Sequence, residues 1–238
     1  MRRIAGAGAR VRGALLVSGA LVLALASGAA SVRYTSRPEF CAGCHEMRPE
    51  YFTWKASAHA RIQCVDCHVD PGVLSALEHK LAALRQVYRH VARRYYLPIE
   101  LPGELPESRC LRCHSENRLV TASGDLVIPH RAHREQSLGC MRCHEGVAHG
   151  RIAGRDETLD GDWGKWDEAY GRSQMALPYR VPGMDDCVEC HEERGVPTEC
   201  ESCHSRITTP ESHKAVGWAE EHGRQALEDV EGCDRCHS

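Results

Sequence analysis

Cys41-Ala42-Gly43-Cys44-His45-Glu46-Met47 is a C-x-x-C-H stretch with a methionine two residues beyond its histidine. C-x-x-C-H is the attachment signature of c-type haem: two thiols add to the haem vinyl groups and the adjacent histidine is placed to ligate iron. The signature recurs at Cys64–His68, Cys110–His114, Cys140–His144, Cys187–His191, Cys200–His204 and Cys233–His237, so seven motifs use all 14 cysteines. The attachment cysteines are therefore Cys41, Cys44, Cys64, Cys67, Cys110, Cys113, Cys140, Cys143, Cys187, Cys190, Cys200, Cys203, Cys233 and Cys236. The motif histidines His45, His68, His114, His144, His191, His204 and His237 are the proximal ligands expected from the signature. A disulfide framework does not need a histidine after every second cysteine, and structural zinc wants its C-x-x-C pairs in even number or its histidines at other spacings. The cofactors expected are seven covalently bound haem c groups.

Composition agrees. Aromatic residues make up 5% of the 238 residues, with only 2 Phe, poor material for a protein core. Between Cys41 and His237 there is about one motif per 28 residues, so haem must supply much of the buried apolar surface. The fold expected is mainly α with much irregular structure and a haem-packed core, in one domain or two small ones.

Haem is attached to such chains outside the cytoplasm, and the N-terminus supplies a route. Arg2, Arg3, Arg10 and Arg12 precede an apolar run from Ala14 to Val32. Its 19 residues would span about 28 Å as a helix, close to a bilayer core. Basic residues before the run put residues 1–13 in the cytoplasm, residues 14–32 across the membrane as a single-pass anchor, and the haem domain in the periplasm. The alternative is a cleaved signal peptide, since Ala24-Leu25-Ala26 and the small residues up to Ser31 resemble a cleavage site.

Charge is uneven: residues 1–150 carry net +7 and residues 151–238 net −10. The acidic half reads either as a solvated surface or as a face that steers a basic partner.

Beyond motif one, Tyr51, Phe52 and Trp54 suit a membrane interface or packing against haem. His59 stands between the first two motifs. Pro71-Gly72 breaks the chain, and Leu74, Leu77, Leu81, Leu84, Tyr88, Val91 and Tyr95 recur at spacings of three and four, predicting a helix over residues 73–96. Lys80 lies on the flank of its apolar face. Residues 107–150 hold two motifs and the additional histidines His130, His133 and His149. Residues 151–186 lack cysteine and histidine and are expected to form a haem-free linker or cover. Residues 187–238 pack three motifs, with His213 and His222 between the last two.

In this order the residues resemble the NapC/NirT family of membrane-anchored tetrahaem quinol dehydrogenases. The resemblance rests on the anchor, Cys41-x-x-Cys44-His45-x-Met47, Ser57-Ala58-His59, Cys64-x-x-Cys67-His68, and the helix with Lys80 and Val87-Tyr88-Arg89-His90. Pro129-His130-x-x-His133 and Cys140-x-x-Cys143-His144-Glu145-Gly146-Val147-Ala148-His149 complete it. It covers about three-fifths of the chain and implies a tetrahaem domain over residues 33–150, with residues 187–238 a trihaem extension. It implies Met47 as an axial ligand of the first haem, with His45 left unused, and Lys80 as ligand of the second. It implies His149 for the third haem and His59 for the fourth. His213 and His222 are local candidates for two of the last three haems, and His130 or His133 for one more, with Met175 or Met184 as the alternative. A quinol site beside the first haem would involve Met47, Lys80, Gln86 and His90. The family's acidic residue before the Val-Tyr pair is Gln86 here, so the proton acceptor must be another group, with His90, His79 and a haem propionate as candidates.

The function implied is oxidation of menaquinol or ubiquinol at the outer face of the cytoplasmic membrane. Electrons would then pass to a periplasmic reductase or cytochrome partner in anaerobic respiration. Two other classes compete: a soluble periplasmic shuttle released by signal cleavage, and a terminal multihaem reductase. The sequence leaves oligomeric state open and carries no signal for nucleotide binding, hydrolytic triads or nucleic acid.

Overall fold

A computed structural model describes residues 2–99, 105–115, 126–206, 211–214, 216–218, 222 and 224. The seventh motif, Cys233–His237, lies outside them. The described chain is mostly helical. In chain order the helices are α1 (Arg2–Thr35), α2 (Pro38–Cys41), α3 (Arg48–Ala56), α4 (Cys64–His68), α5 (Val73–Val91) and α6 (Glu107–Cys110). Then follow α7 (His130–Glu135), α8 (Cys140–His144), α9 (Glu168–Ser173), α10 (Leu177–Arg180), α11 (Met184–Glu193) and α12 (Cys200–Cys203). Among the described residues there is no strand, only the isolated antiparallel bridge Leu126–His204.

The apolar run forms the C-terminal two-thirds of α1. Arg12–Thr35 is long and apolar enough to cross a membrane, and none of it is buried in the protein. Its 24 residues rise about 36 Å, a little more than a bilayer's hydrocarbon core. The helix ends where Thr35 Oγ1 donates to Ser31 O (2.9 Å) and Ser36 Oγ to Val32 O (2.7 Å), with Lys80 Nζ donating to Thr35 O at 2.8 Å.

Two compact units emerge: Met1–Leu105 with Ala148–Met175, and Pro106–Val147 with Ala176–Ser238. In the first, Pro49 sits in the first turn of α3, where no backbone N–H is needed. Asp167 caps α9 by accepting from Tyr170 N (2.8 Å). The two helices pack so closely that a Cβ on Gly171 would lie 2.6 Å from Phe52 Cβ and 2.7 Å from its backbone carbon. Arg48 Nη2 donates to Trp166 O (3.0 Å), and Lys55 pairs with Glu168. The buried hydrophobic side chains among the described residues are Ile152, Trp166 and Met175. All three come from residues 148–175. Most of the stretch expected as a linker or cover thus supplies the apolar packing of the first unit.

Helix α5 follows the predicted periodicity, but it stops at Val91 rather than running to residue 96. Arg93 takes φ +51°, Arg93 N donates to His90 O (3.0 Å) and Arg94 N to Arg89 O (2.8 Å). That is a left-handed C-terminal cap, here built on arginine instead of the usual glycine. Its apolar residues Leu74, Leu77, Leu81, Leu84 and Tyr88 are exposed.

In the second unit Glu107 joins α6, α7 and α8. Its Oε1 accepts from Cys140 N (3.1 Å) and its other oxygen pairs with Arg134. Val127 N donates to Cys203 O (2.7 Å) beside the Leu126–His204 bridge.

Candidate functional site

Most of the described motifs adopt one helical turn, which brings both cysteines and the histidine to one side. Motifs two and four are helices α4 and α8, and motif five lies within α11. In motifs three and six the histidine N–H donates to the first cysteine's carbonyl (His114 to Cys110, 3.0 Å; His204 to Cys200, 2.8 Å). Motif one is built differently. Cys41 ends α2, Cys44 is extended (φ −89°, ψ 128°), and a 3-10 turn then runs His45–Met47. The break turns His45 out, with half its side chain exposed, while Met47 is partly buried at the start of α3.

His45 meets a cluster that sequence reasoning did not assemble. Glu46 is 5% exposed. Its Oε1 lies 2.5 Å from His90 Nδ1 and its Oε2 3.5 Å from His45 Nδ1. The rings of His45 and His90 are 5.3 Å apart, Tyr95 stacks on His90 at 6.4 Å, and Trp163 lies 6.0 Å from His45. His45, Glu46, His90, Val91, Arg93 and Tyr95 line a cavity of about 480 Å³. Burial pushes the Glu46 carboxyl up, but a backbone hydrogen bond, the bond with His90 and the charges of His45 and His90 outweigh it and hold the group below its ordinary value. Burial, then the Glu46 charge, raises Tyr95. Gln86 is exposed on α5 and does not line this cavity. Glu46 directly follows the first motif, where an acidic residue beside the motif histidine reads as ordinary; the extended Cys44 and the 3-10 turn after it place it in the cluster.

Lys80 sits where α1, motif one and motif two meet. Besides its bond to Thr35 O, its charge acts on Cys41, whose thiol is hydrogen-bonded with that of Cys64. The Cys64 bond, opposed by burial and helped by Lys80, lowers the Cys41 thiol. His59 is half-buried, its backbone N–H donating to Ser57 Oγ (3.0 Å).

Besides His45 with His90, three motif histidines among the described residues each face a non-motif histidine. Ring centroids are 6.3 Å apart for His68–His149, 6.3 Å with a 5° interplanar angle for His144–His130, and 6.1 Å with 21° for His191–His133. Two metal–imidazole bonds of about 2 Å plus the two ring radii give a centroid separation of about 6 Å, so these pairs fit iron held between imidazoles. Two of them have a hydrogen bond at Nδ1 that leaves Nε2 as the nitrogen available to a metal. His149 Nδ1 lies 3.2 Å from Thr53 Oγ1, whose own hydroxyl donates to Pro49 O at 2.7 Å. The imidazole is therefore the donor to Thr53, and Nε2 keeps its lone pair. His133 Nδ1 donates to Pro129 O (3.1 Å) with the same result. Burial, then the His68 charge, brings His149 down to about 4, which keeps it neutral as a ligand must be. Burial and the charges of His130 and His114 lower His144.

This grouping differs from the one the resemblance implies. The resemblance assigns His149 to the third haem and His59 to the fourth; the ring distances set His149 against motif two and His130 against motif four. Burial raises the Cys187 thiol and the nearby Cys143, Asp186 and Cys203 add to it, so attachment points of motifs four, five and six lie within electrostatic reach of one another. His213 and His222 both flank the Trp218 ring, at 4.2 and 5.7 Å. His237 lies outside the described residues.

A model of the NapC/NirT cytochrome c family, N-terminal region, matches residues 8–98. The cytochrome c nitrite reductase subunit NrfH of Nitratidesulfovibrio vulgaris is 33% identical over 136 residues, covering 55% of this chain and 79% of that protein. The cytochrome c-type protein ImcH of Geobacter sulfurreducens is 38% identical over 109 residues, 44% of this chain. TorC of Escherichia coli is 26% identical over 141 residues, 50% of this chain. The chain spans only 22% of ImcH and 36% of TorC. A crystal structure of the NrfHA nitrite reductase complex bound to the HQNO inhibitor contains a chain 32% identical to this one, covering 57% of this chain and 90% of that one with a TM-score of 0.45. The family match starts inside the apolar helix and runs past the second motif, and a relative one-third identical is matched over most of its length: the chain belongs to the NapC/NirT cytochrome c family, whose members carry covalently bound haem c.

Proposed function

We propose that this protein is a membrane-anchored, seven-haem c-type cytochrome that oxidises menaquinol or ubiquinol at the outer face of the cytoplasmic membrane and passes the electrons to a periplasmic reductase or cytochrome partner. The observation that carries the reading is the cavity at motif one, which begins six residues after α1 ends and is lined by His45, Glu46 and His90. Haem c supplies the one-electron acceptor chemistry when bound. The side chains of this chain handle the quinol and its protons. Oxidation releases two protons, and each quinol hydroxyl needs an acceptor within hydrogen-bond reach. The Glu46 carboxylate accepts from His90 Nδ1–H at 2.5 Å, so His90 Nε2 carries the lone pair and can take a hydroxyl proton. The resulting imidazolium is stabilised by Glu46 without transfer of the charge into apolar surroundings. Arg93 and Tyr95 on the cavity wall can donate to quinol oxygens. This arrangement fills the role that Gln86 cannot perform.

The break at Cys44 supports Met47, rather than His45, as the first haem's protein ligand, because it leaves His45 in the cavity wall. Lys80 beside Cys41 and Thr35 O is suited to hold or orient groups at the junction of motifs one and two. An N-terminal basic segment, α1 as a single-pass anchor and a periplasmic haem domain complete the reading.

The test uses membranes carrying the full-length, haem-loaded protein. A menaquinol analogue should reduce the haem spectrum on a turnover timescale. His90→Gln and Glu46→Gln should slow that reduction at least tenfold while leaving reduction by dithionite complete. No quinol-driven reduction in the unmodified protein would sink the reading. Recovery of the protein in salt-washed supernatant would favour a soluble shuttle.

A further inference from the structure

One helical turn in the second unit carries two histidines, His130 and His133, on the short helix α7. Residues three apart share one side of a helix with Cβ atoms about 5–6 Å apart, so their rings emerge side by side. Each ring faces a different motif histidine: His130 faces His144 of motif four and His133 faces His191 of motif five. The first pair is almost parallel at 6.3 Å and the second close to parallel at 6.1 Å.

An offset stack of two neutral imidazoles can give the same centroid distance. Three features separate these pairs from such a stack. Each joins a motif histidine to a non-motif one, as in the half-buried His68–His149 pair at 6.3 Å. The His133 ring is fixed by donation from Nδ1 to Pro129 O, so its Nε2 is the lone-pair nitrogen. The turn is also held among the motifs from both ends. Arg134 and Cys140 N both bind Glu107 on one side, and Val127 N bonds to Cys203 O of motif six on the other. The other close motif-to-non-motif pair, His45–His90, lacks the pattern: it is tilted by 59° and carries Glu46 between its nitrogens.

We propose that the His130–His133 turn supplies the second axial imidazole to two neighbouring haems, His130 opposite His144 and His133 opposite His191, so that one helical turn ties the fourth haem of the family domain to the first haem of the C-terminal extension. The inference rests on haem attachment at these motifs and not on quinol oxidation. It replaces His59 at the fourth haem with a local ligand, and it gives the fifth haem a ligand from outside the extension. The extension is therefore coupled to the family domain through an iron site, not only through the connecting chain.

The test is spectroscopic and uses detergent-purified, full-length, haem-loaded protein. The haem-to-protein ratio and the low-spin and high-spin electron paramagnetic resonance signals are measured for His130→Ala, His133→Ala and the double variant, with His59→Ala beside them. Each single variant should retain seven haems and convert about one haem per chain from low spin to high spin or to a water-ligated form. The double variant should convert about twice as much, and added imidazole should restore the low-spin signal in each. His133→Met should instead produce one His/Met haem with a methionine charge-transfer band and a raised potential. Unchanged low-spin signals in both single variants would overturn the proposal. A loss in His59→Ala matched to the fourth haem, with none in His130→Ala, would overturn its first half. Fewer than seven haems in the unmodified protein would overturn its premise, and would do so whether or not quinol reduces the protein.

Discussion

A single hydroxyl shows how much of this protein's chemistry is set one bond away from the ligands. Thr53 is fully buried, donates to Pro49 O and accepts from His149 Nδ1. The second bond leaves His149 Nε2 with its lone pair, and in a haem-ligating imidazole partners of this kind would tune basicity and orientation. Thr53→Val keeps the shape and deletes both bonds. It removes one partner of the His149 ring while the Glu50 carbonyl remains, and loss of one such bond costs about 1 kcal/mol. The expected result is a lower thermal midpoint together with a shifted midpoint potential for one haem in a redox titration. A change in stability with every potential unmoved would show that Thr53 has no role beyond packing. Nothing in the sequence marks Thr53, since a threonine in a short helix ordinarily bonds back to its own turn. Glu46 and His90 were hidden for a related reason: they are 44 residues apart and meet only because motif one does not complete its helical turn.

At the scale of elements, α3 against α9 is the contact that shapes the first unit. The approach depends on Gly171, where an added Cβ would sit 2.6–2.8 Å from Phe52 atoms, two of them backbone. Backbone cannot rotate away as the end of a flexible side chain can. Gly171→Ala should therefore destabilise the protein by about 1–3 kcal/mol, read as a fall of several degrees in thermal midpoint with haem content unchanged. An unaltered midpoint would mean that α9 is free to shift from α3. The helices themselves were partly legible. The three-and-four spacing from Leu74 to Val91 predicts α5, because an amphipathic pattern shows in sequence whatever covers its apolar face. Its end was misjudged by five residues. Tyr95 continues the periodicity, but Arg93 adopts φ +51° and closes the helix, and an arginine gives no warning of a conformation that normally belongs to glycine.

At the scale of the molecule, α1 is the element long and apolar enough to cross a membrane. Its Arg12–Thr35 stretch is wholly outside the packed protein, and an apolar helix of that length is costly to leave in water. Deletion of residues 1–35 behind a cleavable export signal should move the haem-loaded protein from the membrane to the soluble periplasmic fraction. Reduction by dithionite should be retained and reduction by membrane quinol lost. Retention of the shortened protein on salt-washed membranes would show that another surface, such as the exposed apolar side of α5, is sufficient for attachment.

The sequence alone determined the haem-attachment motifs, the apolar N-terminal run and the kinship. Each is a local property, written in cysteine-histidine spacing, in a run of apolar residues and in motif order, and local properties survive reading one residue after another. Tertiary structure alone decided which histidines stand opposite one another, that Glu46 and His90 share the cavity at motif one, and that residues 148–175 provide the apolar packing of the first unit. Those depend on pairs as distant as Thr53 with His149 and Arg48 with Trp166. A histidine carries the same local signature whether it faces iron, a carboxylate or solvent. Only packing brings its partner within bonding distance and so gives it its role.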